Sequence, residues 1–199
     1  NYSLSIGSAW GKAARTEGGR PVMAKSSGAL LVLFIVSGCA IMKPTDFKDA
    51  TPRLLIEEYF QGETQASGLF EDRFGNLRRQ FVVDITGIWD GKVLVLNEQF
   101  HFSDGETDQR IWTITKTGRD TYEGRAADVI GIAKGESQGN ALNWQYDLNL
   151  KVGDGTLRVH FNDWMFLQPS GVLLNRSKVT KLGVEIGTVT LAFTKDKNG

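Results

Sequence analysis

The sequence predicts an all-β domain, an antiparallel meander of about nine to eleven strands closed into a barrel. Three observations predict it: turn signals recur along the chain, apolar and polar residues alternate between them, and helical periodicity is weak throughout. Asp-Gly and Gly-Asn pairs supply the positive φ angles that tight hairpins require. From residue 53 onward, the turn signals are Gly75-Asn76, Asp90-Gly91, Asp104-Gly105, Gly118-Arg119, Gly139-Asn140, Asp154-Gly155, Ser170-Gly171 and Leu182-Gly183.

Each interval between turn signals has the length of one strand, except the interval from Gly118 to Gly139. We expect Gly131 to divide this longer interval into two strands. Before the first turn signal, Pro52–Phe60 predicts either a short helix or a first strand.

The predicted strands alternate with period two, as strands with one face in the core and one face in water do. The polar faces, which lie opposite the apolar ones, carry Arg, Asp, Asn, Gln and His. The clearest inward sets are Leu77, Phe81, Val83 and Ile85; Leu94, Leu96, Phe100 and Phe102; Trp144, Tyr146, Leu148 and Leu150; and Leu157, Val159 and Phe161.

A long meander exposes its two edge strands unless it closes on itself, which favours an up-and-down barrel. A curved sheet or a sandwich is the first alternative. A transmembrane barrel is the second, but it would need an apolar outer face. The charged and amide side chains on the outer faces favour a soluble barrel.

Composition excludes several classes of function. The chain has 199 residues, with 23 basic and 23 acidic side chains, so it carries no basic surface for nucleic acid. One cysteine cannot form an internal disulfide, and one cysteine with two histidines is too few for a Cys/His metal site. We therefore expect no metal, no cofactor and no nucleic-acid partner.

A short segment, Met23 to Cys39, has the form of a targeting signal. Lys25 precedes an unbroken apolar run from Ala29 to Val36, which is too short for a transmembrane helix. An ordinary cleaved signal fits the pattern but leaves a free cysteine at the cleavage point. A buried core segment is a third interpretation.

Val36-Ser37-Gly38-Cys39 resembles the lipobox of bacterial lipoproteins, in which cleavage precedes the cysteine and its thiol carries diacylglycerol. The resemblance implies a lipid anchor at Cys39. Ala40 follows where retained inner-membrane lipoproteins commonly have Asp, which implies the periplasmic face of the outer membrane. Stable anchoring takes more than one acyl chain, and a lipoprotein terminus typically carries three.

These features divide the chain into four segments. Residues 1–22 do not fit a signal and are interpreted as a misplaced gene start upstream of Met23. Residues 23–38 are the predicted lipoprotein signal peptide, 39–52 a lipidated tether, and 53–196 the barrel domain.

Several stretches resemble a proteobacterial lipoprotein family catalogued only as a domain of unknown function. The resemblance runs from the signal to about Lys195, and it implies an envelope setting without an activity. It is carried by Phe81 to Asp90, Glu98 to Glu106, Arg110 to Ile114, Gly135 to Trp144, Asp163-Trp164-Met165 and Asn175-Arg176.

A looser likeness is to lipocalins and other calycins, which are small-ligand barrels of similar size. Gly87-Ile88-Trp89 matches the Gly-x-Trp pattern of lipocalins, although theirs lies on the first barrel strand. This likeness implies a lipocalin-like architecture, and with it an interior that could hold an apolar ligand.

Glu98 is the sharpest anomaly, because it lies in phase with the inward residues of its strand. Arg110, in phase with Trp112, lies near it across the Asp104-Gly105 turn. A buried carboxylate is costly unless it is paired. The pair is either a structural ion pair or a polar group for a ligand, and general acid/base catalysis is a third use, although no second inward carboxylate is evident. Glu98, Arg110, Trp112 and Trp144 form the candidate ligand-binding set.

Other polar residues have structural interpretations. His101 and His160 lie on polar faces and are expected at the surface. Asp163 and Arg176 could pair across the Ser170-Gly171 hairpin, with Trp164 beside them, as barrel-end structure or as a recognition rim. Gly-x-Ser-x-Gly, a phosphate loop and Gly-x-Gly-x-x-Gly are all absent from the sequence, so we expect no enzyme.

Two functional interpretations remain open. In the first, the barrel of an envelope lipoprotein binds an apolar ligand such as a lipid. In the second, the interior is fully packed and the outer face or rim binds another envelope component. A cavity of several hundred Å³ would favour the first.

Overall fold

The computed structural model describes residues 41–152 and 155–195. Ten antiparallel strands follow one another as a meander, and each pairs with its neighbour in the chain. Because β1 also pairs with β10, the sheet closes into a barrel, which confirms the predicted fold class and strand number. The strands are β1 (Gly62–Asp72), β2 (Leu77–Trp89), β3 (Val93–Phe102), β4 (Thr107–Lys116), β5 (Thr121–Arg125), β6 (Val129–Gln138), β7 (Ala141–Val152), β8 (Gly155–Leu167), β9 (Leu173–Lys181) and β10 (Val184–Lys195).

The predicted turn signals in the described chain fall between strands, apart from Gly155, which is the first residue of β8, but the expected division at Gly131 is wrong. Gly131 lies inside β6, where the pairing with β7 shifts between Ile130 and Lys134. Its φ of 75° lets it take up a bulge without reversing the chain. The chain instead reverses at residues 126–128, between β5 and β6.

The inward faces predicted from alternation form the core, with one exception. Leu77 is 53% exposed, because a bulge at Phe70 and Glu71 brings Leu77 opposite Glu71 at the turn. Arg79, in phase with Phe81, is the first residue of β2 that points inward and is buried.

One end of the barrel is covered by the segment before β1, and we call it the capped end. Its short helix α1 (Ile56–Tyr59) settles the choice left open for Pro52–Phe60. Leu54 donates a backbone hydrogen bond to Gly139, and Tyr59 Oη donates to the carbonyl of Phe193 at 3.0 Å. The opposite end, which we call the far end, carries the β1–β2, β3–β4, β5–β6, β7–β8 and β9–β10 connections.

The chain upstream of α1 lies against the outside of the barrel. A 3-10 helix spans Pro44–Phe47, and the Phe47 ring packs on Trp164 and Phe166 of β8, with ring centroids 5.9 and 5.3 Å away. These contacts fix the predicted tether to the outer wall from Phe47 onward.

Several predictions fall outside the described residues. They are the upstream extension 1–22, the signal 23–38, the lipidated Cys39 with Ala40, residue Asp154 of one turn, and residue 196 of the domain. Among the residues that are described, none of the helices is long and apolar enough to cross a membrane.

Candidate functional site

The barrel encloses a cavity of about 140 Å³ between the α1 cap and the far end. Its walls are mainly aromatic and aliphatic, including Phe81, Phe100 and Trp112. This volume is smaller than the several hundred Å³ expected for a drug-sized ligand. The polar residues that line it are Arg79, Glu98, Arg110, Asp163, Asn175 and Ser177.

Glu98 points into this cavity from β3. It keeps some accessible surface because it faces the cavity, although it lies deep in the barrel. Burial raises the pKa of its carboxyl group to about 7, against the opposing effect of the Arg110 charge. Its carboxylate accepts no hydrogen bond from any residue that the structure describes.

Arg110 is the direct cross-strand neighbour of Glu98, as the count from the Asp104-Gly105 turn predicted. The expected ion pair, however, has a different acid. Arg110 Nη2 and Nε donate to Asp128 Oδ2 at 2.6 and 3.1 Å, and both side chains are at least nine-tenths buried. Arg110 therefore acts on Glu98 through its charge and on Asp128 through direct bonds.

The Arg110–Asp128 pair lies where the barrel wall is incomplete. β5 has five residues and pairs with β4 only over Thr113–Lys116. Toward the far end, the 126–128 connection takes the place of a strand between β4 and β6. The ion pair links this connection to β4 and so closes the wall.

Asp163 is a second carboxyl group in the interior, which the sequence analysis did not place there. It is 5% exposed and accepts a hydrogen bond from Ser177 Oγ. Burial raises its pKa to about 6, although Ser177, Arg110 and Tyr146 act in the opposite direction. The expected Asp163–Arg176 pair is wrong, because Asp163 lies opposite Ser177 whereas Arg176 lies opposite Trp164 on the outer face.

Asn175 of β9 lines the same cavity and is 4% exposed. Its side-chain oxygen is buried and has no hydrogen-bond partner among the described residues. It lies two positions from Ser177 on the same face of the strand. The carboxyl groups of Glu98 and Asp163 and the amide oxygen of Asn175 thus border one space.

Trp112 and Trp144 form part of the cavity wall, in edge-to-face contact with ring centroids 5.7 Å apart. The Trp144 indole lies over two inward glycines. A Cβ atom at Gly124 or Gly135 would clash with the Trp144 ring. Both strands therefore need glycine there for the indole to lie flat against the sheet.

The far end is closed by Arg79, which the sequence analysis did not single out. Its guanidinium lies 3.5 Å from the centre of the Phe102 ring and pairs with Asp104 at 2.9 Å and with Glu106. The alternation along β2 could have identified it, because Arg79 is in phase with the inward residues Phe81 and Val83.

The histidines take no part in the cavity. His101 contacts Asp84 at 3.3 Å and His160 contacts Asp147 at 2.9 Å, both through outward side chains, as predicted. Within the described ranges, no three His, Cys, Asp or Glu residues are grouped to hold a metal ion.

Comparison with known proteins gives a family but no activity. The family model described as a protein of unknown function (DUF3833) matches residues 33–195, which include Cys39 and the whole barrel. No curated protein matches the chain.

Proposed function

Since this chain belongs to the DUF3833 family, whose description gives no activity, we propose from the barrel itself that the protein binds a small, mostly apolar molecule in its interior. The observation that carries the proposal is the carboxyl group of Glu98. It faces a cavity with apolar walls and has no hydrogen bond to the described protein. A buried polar group normally has a partner, and here a ligand can supply it.

The cavity limits the size of the ligand. A dry cavity of about 150 Å³ is known to hold a benzene molecule, and the space here is about 140 Å³. We therefore propose a single ring, a short alkyl group, or the end of a lipid chain as the part that enters. A whole lipid does not fit within this volume.

We propose binding rather than catalysis because most of the interior polar groups are already bonded to one another. Asp163 accepts from Ser177, and Arg110 donates two hydrogen bonds to Asp128. Among the described residues, this leaves the Glu98 carboxyl group and the Asn175 amide oxygen to meet a substrate, whereas acid/base chemistry needs a positioned donor and acceptor.

We further propose that the protein is an envelope lipoprotein anchored through Cys39 at the periplasmic face of the outer membrane. The lipobox-like sequence supports it, and the family match extends through this cysteine. Only eight positions separate Cys39 from Phe47, so the anchor would hold the wall at Phe47 within about 28 Å of the bilayer.

The anchor is tested by changing Cys39→Ala and fractionating cells. We expect the wild-type protein in the membrane fraction with an acylated N-terminal peptide, and the variant without acyl chains outside that fraction. Equal membrane association of the two proteins would refute the anchor.

The ligand is tested by native mass spectrometry of the gently purified protein. We expect a bound small molecule, and we expect Val83→Phe to reduce its occupancy because Val83 lines the cavity. Val82→Phe is the matched control, since Val82 is the neighbouring residue on the outer face. An unliganded mass together with no binding of apolar probes would refute the proposal.

A second candidate function rests on the far-end rim. Leu182 is 95% exposed and Phe74 is 74% exposed, at the tips of the β9–β10 and β1–β2 hairpins. The two hairpins are neighbours, since Arg73 donates a backbone hydrogen bond to Ile186. If the cavity proves empty, this apolar rim is the surface to test for another envelope component.

A further inference from the structure

Two polar groups that border the cavity, the Asn175 amide oxygen and the Glu98 carboxylate, have acceptor atoms without a donor in the part of the chain that the structure describes. Asn175 Oδ1 has no partner within the described chain, and the Glu98 carboxylate accepts no hydrogen bond there. Asp128 Oδ1, the second oxygen of the acid that pairs with Arg110, is also buried without a partner among these residues. The Asn175 amide oxygen is an acceptor, and the carboxylate oxygens of Glu98 and Asp128 are acceptors when these two acids are ionised.

The interior also holds more acid than base. The negative charges of Asp128 and Asp163 raise the pKa of Glu98, and the Arg110 charge opposes them. Arg79, the other buried guanidinium that lines the cavity, is paired at the far end with Asp104 and Glu106. A cation inside the cavity would offset this imbalance.

Arg110 is a poor site for an anion. Two of its N–H groups are directed to Asp128 Oδ2, and Glu98 lies directly across the strand pair. An anionic ligand would lie against these carboxyl groups and would leave the Asn175 oxygen without a donor. A protonated amine has up to three N–H donors and a positive charge. It can donate to the acceptors that lack a donor, and its charge offsets the excess of carboxyl groups.

We propose that the polar group of the ligand is a protonated amine that lies between Glu98 and Asn175, with its small apolar part against the aromatic wall. This inference rests on the proposed binding function and names the class of ligand: a lipophilic primary amine. Asp163 lies close enough to Glu98 to influence its titration and adds to the negative potential at the amine.

Three probes of similar size separate the possibilities in calorimetric titration of the purified full-length protein. They are benzylamine, toluene and benzoate, each with one ring. We expect benzylamine to bind at least tenfold more tightly than toluene, and benzoate to bind more weakly than either. Benzoate binding tighter than benzylamine, or toluene binding as tightly, would overturn the amine assignment while leaving the cavity as a binding site.

Glu98→Gln keeps the shape of the side chain and removes its charge. We expect it to weaken benzylamine at least fivefold and to leave toluene unchanged. Glu63→Gln is the control, because it makes the same change on the exposed face of β1. Unchanged benzylamine affinity in Glu98→Gln would contradict the inference, and failure of all three probes with the wild-type protein would refute the binding function itself.

The affinity for benzylamine should also rise between pH 5.5 and 8 as Glu98 ionises. The charged and titratable groups that act on Glu98 are Arg110, Asp128 and Asp163, and the Tyr146 hydroxyl adjoins them. Most of the rise should disappear in Glu98→Gln, and what remains should centre on about pH 6, where Asp163 ionises. A rise of undiminished size in this variant would assign the pH dependence to another group and count against the proposal.

Discussion

Arg110 and Asp128 join two parts of the barrel wall that no strand pairing connects. Arg110 Nη2 lies 2.6 Å from Asp128 Oδ2, the two side chains are 10% and 6% exposed, and β5 ends before it can pair with this part of β4. The pair is therefore part of the enclosure of the cavity as well as a neighbour of Glu98.

Asp128→Ala should destabilise the protein by about 3 kcal/mol, because it leaves the Arg110 charge buried without its partner. Urea denaturation followed by circular dichroism measures the change. The double variant Arg110→Met with Asp128→Ala should recover much of the loss, since the uncompensated charge is gone. A double variant that is less stable than Asp128→Ala would show that the pair does more than satisfy one buried charge.

Glu57 attaches the α1 cap to the barrel. It is 4% exposed, accepts a hydrogen bond from Tyr122 Oη at 2.9 Å and pairs with Lys116 Nζ. Burial raises the pKa of Glu57, but the bonds to Lys116 and Tyr122 outweigh it and leave the pKa below its ordinary value.

We expect Glu57→Ala to cost about 3 kcal/mol of unfolding free energy, because the buried Tyr122 hydroxyl and the partly buried Lys116 ammonium group lose their acceptor. Glu58→Ala is the matched control, since Glu58 is the next residue in the same helix and its side chain is exposed. The control should change stability by less than about 0.5 kcal/mol. Equal effects of the two substitutions would mean that Glu57 does not hold the cap.

Leu182 has a backbone φ of 49°, which a leucine adopts only with strain, and its side chain is 95% exposed. Leu182→Asn should therefore raise the unfolding free energy by roughly 0.5–1 kcal/mol, because asparagine tolerates this conformation and no packing is lost. Val184→Asn, at an exposed position outside that conformation, should bring no gain. A loss of stability in Leu182→Asn would show that the leucine makes contacts that favour the hairpin.

Sequence reasoning predicted the meander because turn signals and alternation are local, and the same count placed Glu98 opposite Arg110. Asp128 could not be predicted as the partner of Arg110, since it lies in a connection that reaches β4 only once the barrel has closed. Asp163 was within reach, because it continues the inward phase of Val159 and Phe161. Its expected pairing with Arg176 was off by one residue in register, and such a shift moves a side chain to the opposite face of a strand.

The two interior carboxyl groups should make the protein less stable as the pH rises from about 4.5 to 7. The pKa of Glu98 is raised from 4.5 to about 7 in the folded protein, and that of Asp163 is raised from 3.8 to about 6. In this window the folded protein holds protons that the unfolded chain has released, so the unfolding free energy falls with rising pH. The shift of Glu98 alone corresponds to a fall of up to about 3 kcal/mol.

Urea denaturation at intervals between pH 4.5 and 8 measures this slope in the wild-type protein, in Glu98→Gln and in the surface control Glu63→Gln. The slope should become shallower in Glu98→Gln, because glutamine does not titrate. The fall of the unfolding free energy that remains in this variant should come from Asp163 and lie below about pH 6. The groups with lowered pKa values, such as Asp90 and Glu57, act in the opposite sense and lose their stabilising effect only in more acidic solution. A wild-type stability that rises with pH across this window would mean that Glu98 is ionised in the folded barrel, with a cation or hydrogen-bond donor already bound to it.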